Sequence, residues 1–202
     1  MADWDNELGD IHLCSFSDIV LGQSSCYDTE LQEYAQTLMQ NKSGVIIVTA
    51  PLVDSVLACV AAPNSSMLET IRPLINECEM YARRECLEED VEQLWKNVNG
   101  APGTGAKAWI AHVDGLDICG EARNPEYSDG SYHSAFWGFA PKDNPQIAVV
   151  VFIENGRYGN SYAAPIGSLV IEKYLTGDVS RKHLEMRMET ANLIERGRNK
   201  LQ

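Results

Sequence analysis

Catalysis needs side chains that attack, relay protons or hold charge, and this sequence offers few in a usable pattern. His133 and Ser134 put a base beside a nucleophile. They fall in the stretch 132–139, whose aromatic residues predict a strand. Neighbours on a strand point to opposite faces, so the imidazole cannot take a proton from the adjacent hydroxyl. His133 reads as an ordinary strand residue at the rim of a cleft. Glu88-Glu89-Asp90 reads as a helix N-terminus, where acids are favoured, and Glu154 as the end of a strand. Neither makes a carboxylate pair for acid–base work. Gly103-Thr-Gly-Ala-Lys107 invites a phosphate-loop reading, but Lys107 is followed by Ala108 where the Walker pattern needs Ser or Thr. A turn between helix and strand fits it better.

The six cysteines, Cys14, Cys26, Cys59, Cys78, Cys86 and Cys119, form no Cys-x-x-Cys, and no histidine stands near them at zinc-finger spacing. No metal site or cofactor motif is therefore expected. Cys59, Cys78 and Cys119 lie among apolar residues and read as small core side chains. The sequence leaves the disulfide state open, since pairing depends on export.

The 202 residues carry a formal net charge of −13. Residues 1–100 hold 17 acidic and 5 basic side chains, against 12 and 11 in residues 101–202. The acidity thus sits in the first half, as a solvated surface that repels a phosphate backbone and argues against nucleic-acid binding. The sequence has no apolar run of about 18 residues of the kind that spans a bilayer, and its front is acidic where a secretory signal is basic.

Around these positions the chain organises as follows. Asp28 or Thr29 caps a helix whose inner face holds Leu31, Tyr34, Ala35 and Leu38. Val45–Thr49 is β-branched and predicts a buried strand, interrupted by Pro51; Val53–Ala62 suits helix or strand equally. Met67, Ile71, Leu74, Ile75, Cys78 and Ala82 recur at helical spacing, as do Leu87, Val91, Leu94, Trp95 and Val98. Pro73 kinks the first of these two helices or marks its start. Strands are expected over 109–113 and 116–119. Two more, 132–139 and 146–154, should pair antiparallel around the turn Pro141-Lys-Asp-Asn-Pro145. Ile147–Ile153 is apolar throughout and should be central, covered on both faces. A helix begins at Ala163-Ala-Pro-Ile166 and ends at Thr176-Gly-Asp178, and residues 181–200 read as a loosely docked or frayed helix. The fold class is α+β: an antiparallel sheet flanked by helices. We divide the single domain into 1–65, a helical 66–100, a strand–hairpin–helix unit 101–178 and a charged 179–202.

One constellation says more. Gly115-Leu-Asp-Ile-Cys-Gly120, Asn124-Pro125, His133-Ser-Ala-Phe-Trp-Gly-Phe-Ala-Pro141 and the run Ile147–Ile153 follow in order. Together they resemble the end of the transpeptidase domain of class B, elongation-type penicillin-binding proteins, which has the β-lactamase-like fold. Weaker likenesses precede them: Leu21-Gly22-Gln23 with Thr29-Glu30-Leu31-Gln32, then Val98-Asn99-Gly100 and Gly103-Thr104-Gly105. Residues 42–65 resemble the family least. The likeness is close over 98–176 and covers about the last two-fifths of such a domain.

In the family the lead-in is followed at once by Lys-Thr-Gly-Thr-Ala-Gln-Asn-Pro. Here Lys-Thr-Gly is missing, Glu121 stands for the next Thr, Ala122 is kept, and Arg123 replaces Gln. The resemblance implies a serine acyl-transferase with Ser-x-x-Lys, Ser-x-Asn and Lys-Thr-Gly, and none of these occurs in this sequence. The candidate cleft residues are Gly120, Glu121, Ala122, Arg123 and His133, with no catalytic residue among them. Arg123 would bind a D-alanyl carboxylate only by swinging inward. Deleting three residues from a strand also reverses which face later side chains take, so either a bulge restores the alternation or the strand pairs over fewer residues. The expected function is a transpeptidase-like domain incompetent by itself. The alternatives are an enzyme rebuilt around Glu121, Arg123 and His133, or a non-catalytic cell-wall assembly protein. The family implies peptidoglycan peptide or cell-wall proteins as partners, and a periplasmic, membrane-tethered setting. Self-association is expected if residues 1–65 cannot cover the sheet.

Overall fold

A computed structural model of the chain describes residues 28–51, 55–61, 68–99, 116–125 and 132–194. Its elements are α1 (Thr29–Met39), β1 (Gly44–Ala50), β2 (Ser55–Ala61), α2 (Leu68–Ala82) and α3 (Glu88–Asn99), then β3 (Cys119–Arg123), β4 (Ser134–Ala140), β5 (Ile147–Ile153), α4 (Ala163–Thr176) and α5 (Lys182–Thr190). The readings for Leu21–Gln23, Gly103–Lys107, Trp109–Val113, Cys14 and Cys26 lie outside the described residues.

The five strands form one antiparallel sheet in the order β2-β1-β5-β4-β3. As its unbroken apolar run predicts, β5 is the middle strand, and all seven of its residues are buried. Val53–Ala62 resolves to a strand over 55–61, and 44–61 thus supply two of the five strands. Because β1 pairs along β5 from Gly44↔Ile153 to Thr49↔Ala148, that edge of the hairpin is closed. Self-association was expected only if residues 1–65 left the sheet uncovered; among the described residues, 44–61 join the sheet as two strands and α1 packs on its back face. The outer edge of β2 is tied off too: the Gln32 amide donates to the Cys59 carbonyl at 3.0 Å and accepts from the Cys59 N–H at 2.8 Å, and the Asp28 N–H reaches the Leu57 carbonyl at 3.0 Å. A side-chain amide here takes the hydrogen bonds that a further strand would make.

Alternation in the strands splits the sheet into two faces. The back face carries Ile46, Val48, Phe136, Ile147, Val149, Val151 and Ile153 and is covered by α1, α4 and α5. The front face carries Val45, Ile47, Cys119, Ala135, Trp137, Val150 and Phe152 and is covered by α2 and α3. On the back, helix α4 comes so close that a Cβ at Gly167 would lie 2.5 Å from the Phe136 ring, as would one at Gly138. A Cβ at Gly120 would lie 3.1 Å from the same ring and 2.3 Å from the Trp137 carbonyl oxygen. Three glycines therefore make the socket that holds Phe136.

The helices follow their end signals. The Asp28 carboxylate accepts from the Leu31 N–H at 2.9 Å and caps α1. Gly177, at φ 79°, closes α4 in the left-handed conformation. Pro73 lies inside α2, so it does not mark the start of that helix. Leu87, placed on an inner helical face by its spacing, is 70% exposed and precedes α3; the next apolar position, Val91, is the one that enters the core. Helix α5 lies where a loosely docked or frayed helix was expected, and over 182–190 it is firmly docked. Its Leu184 and Met188 are buried, as is Leu193 beyond it. The buried Lys42 ammonium donates to the Met188 carbonyl at 2.6 Å, and the Leu193 N–H bonds the Asn41 carbonyl at 2.9 Å. Burial of Glu172 works against its ionisation, but bonds from Ser180 and Arg181 outweigh this and hold its pKa below the usual value. That buried pair, at 2.8 Å, fastens the turn into α5.

Candidate functional site

The site hangs on edge strand β3, which pairs with β4 in unbroken register from Cys119↔Phe139 to Arg123↔Ala135. No bulge interrupts the pairing over these residues. Five residues of β3 face a seven-residue β4. Strand alternation then sends Cys119, Glu121 and Arg123 to the front, and Gly120 and Ala122 to the back. Gly120 belongs to the Phe136 socket and Ala122 packs on the back-face core, so both are structural.

Arg123 is a cation of the front face. Its guanidinium donates to Glu77 of α2 at 2.7 Å and to Glu121 at 2.9 Å. Hydrogen bonding to Glu121 first, then to Glu77, raises its already high pKa further. Tyr81, one turn along α2 from Glu77, stacks on Trp137 with ring centroids 5.3 Å apart. Burial and the nearby Asp90, Glu77 and Glu121 raise its phenol pKa. The ground in front of β3 is therefore acidic, and its arginine is already bridged between two carboxylates.

His133 stands just before β4. It is 7% exposed, stacks on Phe152 with centroids 5.4 Å apart, and accepts the Asn155 N–H at Nδ1 at 3.1 Å. Ser134 faces the other way, donating to the Tyr158 carbonyl at 2.7 Å and accepting the Ala163 N–H at 3.0 Å. The two neighbours serve different elements, as strand geometry requires. Asn124, beyond β3, accepts the Gly159 N–H at 2.7 Å and pins the loop after β5 to the strand exit. Sequence reasoning missed Glu77 altogether. It lies 46 residues from Arg123, and spacing alone carries no sign of that pairing. Glu79, on the same helix, is 2% exposed and bonded to Thr49 and Arg83, so it belongs to the core. Cys59, Cys78 and Cys119 are buried free thiols. Among the described residues no group of three or more His, Cys, Asp or Glu is placed to hold a metal.

Residues 115–172, which hold β3, β4, β5 and most of α4, match the family described as the penicillin binding protein transpeptidase domain. This segment carries the likeness to that domain. The chain is similar to peptidoglycan D,D-transpeptidase MrdA of Haemophilus influenzae, 29% identical over 168 residues that cover 77% of this chain and 25% of that protein. It is also similar to the probable peptidoglycan D,D-transpeptidase PenA of Neisseria flavescens, 38% identical over 86 residues, covering 38% of this chain and 21% of that protein. The chain thus spans about a quarter of the length of these relatives. The MrdA alignment reaches well outside 98–176, so the likeness is wider than the motifs indicate. A crystal structure of Pseudomonas aeruginosa PBP2 in complex with WCK 5153 shares the fold, with TM-score 0.57 at 14% identity over 78% of this chain and 80% of that one. The α+β arrangement, an antiparallel sheet between helical layers, is that of this transpeptidase-like domain.

Proposed function

We propose that this chain is a penicillin-binding-protein transpeptidase-like domain that forms no serine acyl-enzyme by itself and acts by binding, in cell-wall assembly. The observation that carries the reading is Arg123. Where the resemblance implies a Lys-Thr-Gly strand with a free cation, this strand offers an arginine held by Glu77 and Glu121. A substrate carboxylate would have to displace both acids and enter an acidic field, which opposes binding. In the family the missing Lys-Thr-Gly strand also helps build the oxyanion hole, where one lost donor costs about 10²–10³ in rate. The rebuilt-enzyme alternative needs His133 beside Glu121 and Arg123, whereas His133 is engaged by Asn155 and Phe152. The relatives are named as peptidoglycan D,D-transpeptidases; peptidoglycan peptide or a protein that works on it is the partner class that fits.

A fluorescent penicillin tests the reading. Incubation followed by denaturing electrophoresis and intact-mass measurement should give no covalent adduct. A stoichiometric adduct that disappears on replacing one serine would overturn the proposal.

A further inference from the structure

Strand β2 lies at one end of the sheet. Its sequence, Ser55-Val-Leu-Ala-Cys-Val-Ala61, has no charged residue and no proline, two common guards of an edge strand. The guard here is a side chain of α1. Gln32 is 1% exposed, and its amide both donates to and accepts from the main chain of Cys59, at 3.0 and 2.8 Å. One donor and one acceptor aimed at a single residue are what an antiparallel neighbour presents to it in a hydrogen-bonded pair. The Asp28 N–H on the Leu57 carbonyl, at 3.0 Å, extends the imitation by one more bond. Helix α1 also buries Leu31, Ala35 and Leu38 in the back-face core, so it has anchors besides this amide.

We propose that the outer edge of β2 is a pairing surface for β2 of a second copy of this chain, and that Gln32 holds it shut. Both the N–H and the C=O of Cys59 point outward to Gln32. Two copies therefore pair antiparallel about a two-fold axis, with Cys59 opposite its own counterpart and the two sheets joined into one. The strand suits itself as a partner. Being uncharged, it brings no like charges face to face across the pair. Val56, Leu57 and Val60 are half-buried in the single chain, and a second strand beside them covers them further. The Asp28 contact sits at the margin of this pairing and gives way to the incoming strand. The inference is independent of the binding role proposed above and needs no ligand.

Sedimentation velocity of the full chain, with and without a thiol oxidant, measures it. Gln32→Leu keeps the bulk of the side chain and removes both bonds, which leaves the Cys59 N–H and C=O to be met by a second copy. Self-association should tighten by at least about 100-fold over the parent, the scale of two buried backbone groups regaining partners. Diamide, which takes up the two thiol hydrogens as the disulfide forms, should then cross-link the dimer. Residues opposed in a hydrogen-bonded pair stand about 5.5 Å apart at Cα, within reach of a disulfide. Cys59→Ser in the same background should abolish the cross-link and keep the dimer. Leu38→Ala opens a cavity under the same helix without touching the edge, and it should stay as monomeric as the parent. Should Gln32→Leu fail to fold by circular dichroism, Gln32→Asn, whose amide ends one methylene short of Cys59, carries the same test. A folded Gln32 variant that associates no more tightly than the parent overturns the proposal. So does a dimer that diamide does not join through Cys59, or a Leu38→Ala chain that pairs as tightly as the Gln32 variant.

Discussion

The two faces of the sheet are built on different physics. The back is apolar and closely fitted: Phe136 fills a socket cut by Gly120, Gly138 and Gly167, and α1, α4 and α5 close over it. Its ionic contact of consequence, Glu172 with Arg181, is nearly fully buried and fastens one element to the next. The front has an apolar floor of Trp137, Val150 and Phe152, but toward β3 it passes into ion pairs: Arg123 with Glu77 and Glu121, and Lys142 with Glu92. A partly exposed ion pair constrains a surface while adding little stability. The difference teaches where this transpeptidase-like domain keeps its fold and where its surface is free to vary. The sheet stands on the back; the front, where the resemblance places a cleft, is held by contacts that can be exchanged.

The sharpest way to break this comparison is in the socket. Phe136→Ala removes a fully buried ring and leaves a cavity, which should cost about 3–5 kcal/mol by urea unfolding. Gly167→Ala attacks the same place from the helix and should cost on the order of 1–3 kcal/mol, since its Cβ would meet the ring at 2.5 Å. If either variant unfolds at the parent's denaturant midpoint, the back face is not the anchor claimed here.

A second test sharpens the docking of α5 on the back. Burial lowers the Lys42 pKa from 10.5 to about 8, with Glu189 opposing the shift. Between those values the unfolded chain holds a proton that the folded chain has released. The contribution from Lys42 is therefore fully present above pH 10.5 and is lost as the pH falls through 8. The stability of the parent relative to Lys42→Met should rise across this window by up to about 3 kcal/mol. Other groups titrate in both proteins and cancel in the difference. A flat difference from pH 8 to 10.5 would remove the buried ammonium from the account.

Much of this architecture was legible in the sequence, because local rules set it. The β4–β5 hairpin and α4 were readable from unbroken apolar runs, a proline-flanked turn and a Thr-Gly-Asp stop. The cap, at Asp28 or Thr29, and the buried cysteines were readable for the same reason. What escaped is carried by distant pairs. Lys42 bonds Met188 across 146 positions, so α5 looked loose from its own composition. The strand at 45–49 was readable but its partner was not, because pairing of β1 with β5 leaves no local trace. At the site, alternation assigned the faces of Glu121 and Arg123 once the strand was placed, but not the acid waiting on α2. Leu87 erred in the other direction: helical spacing put it inside, and a helix that starts one residue later leaves it in water.

The smallest effect is the most telling about the front. Arg123→Ala removes a side chain that is 37% exposed and bridges two acids that are 28% and 41% exposed. Contacts of this kind are worth about 0.2–1 kcal/mol, so the melting temperature should shift by only a few degrees. Thermal melts of the variant beside the parent measure it. A loss of several kcal/mol instead would make Arg123 part of the core, and the division between a structural back and an exchangeable front would fail at its central residue.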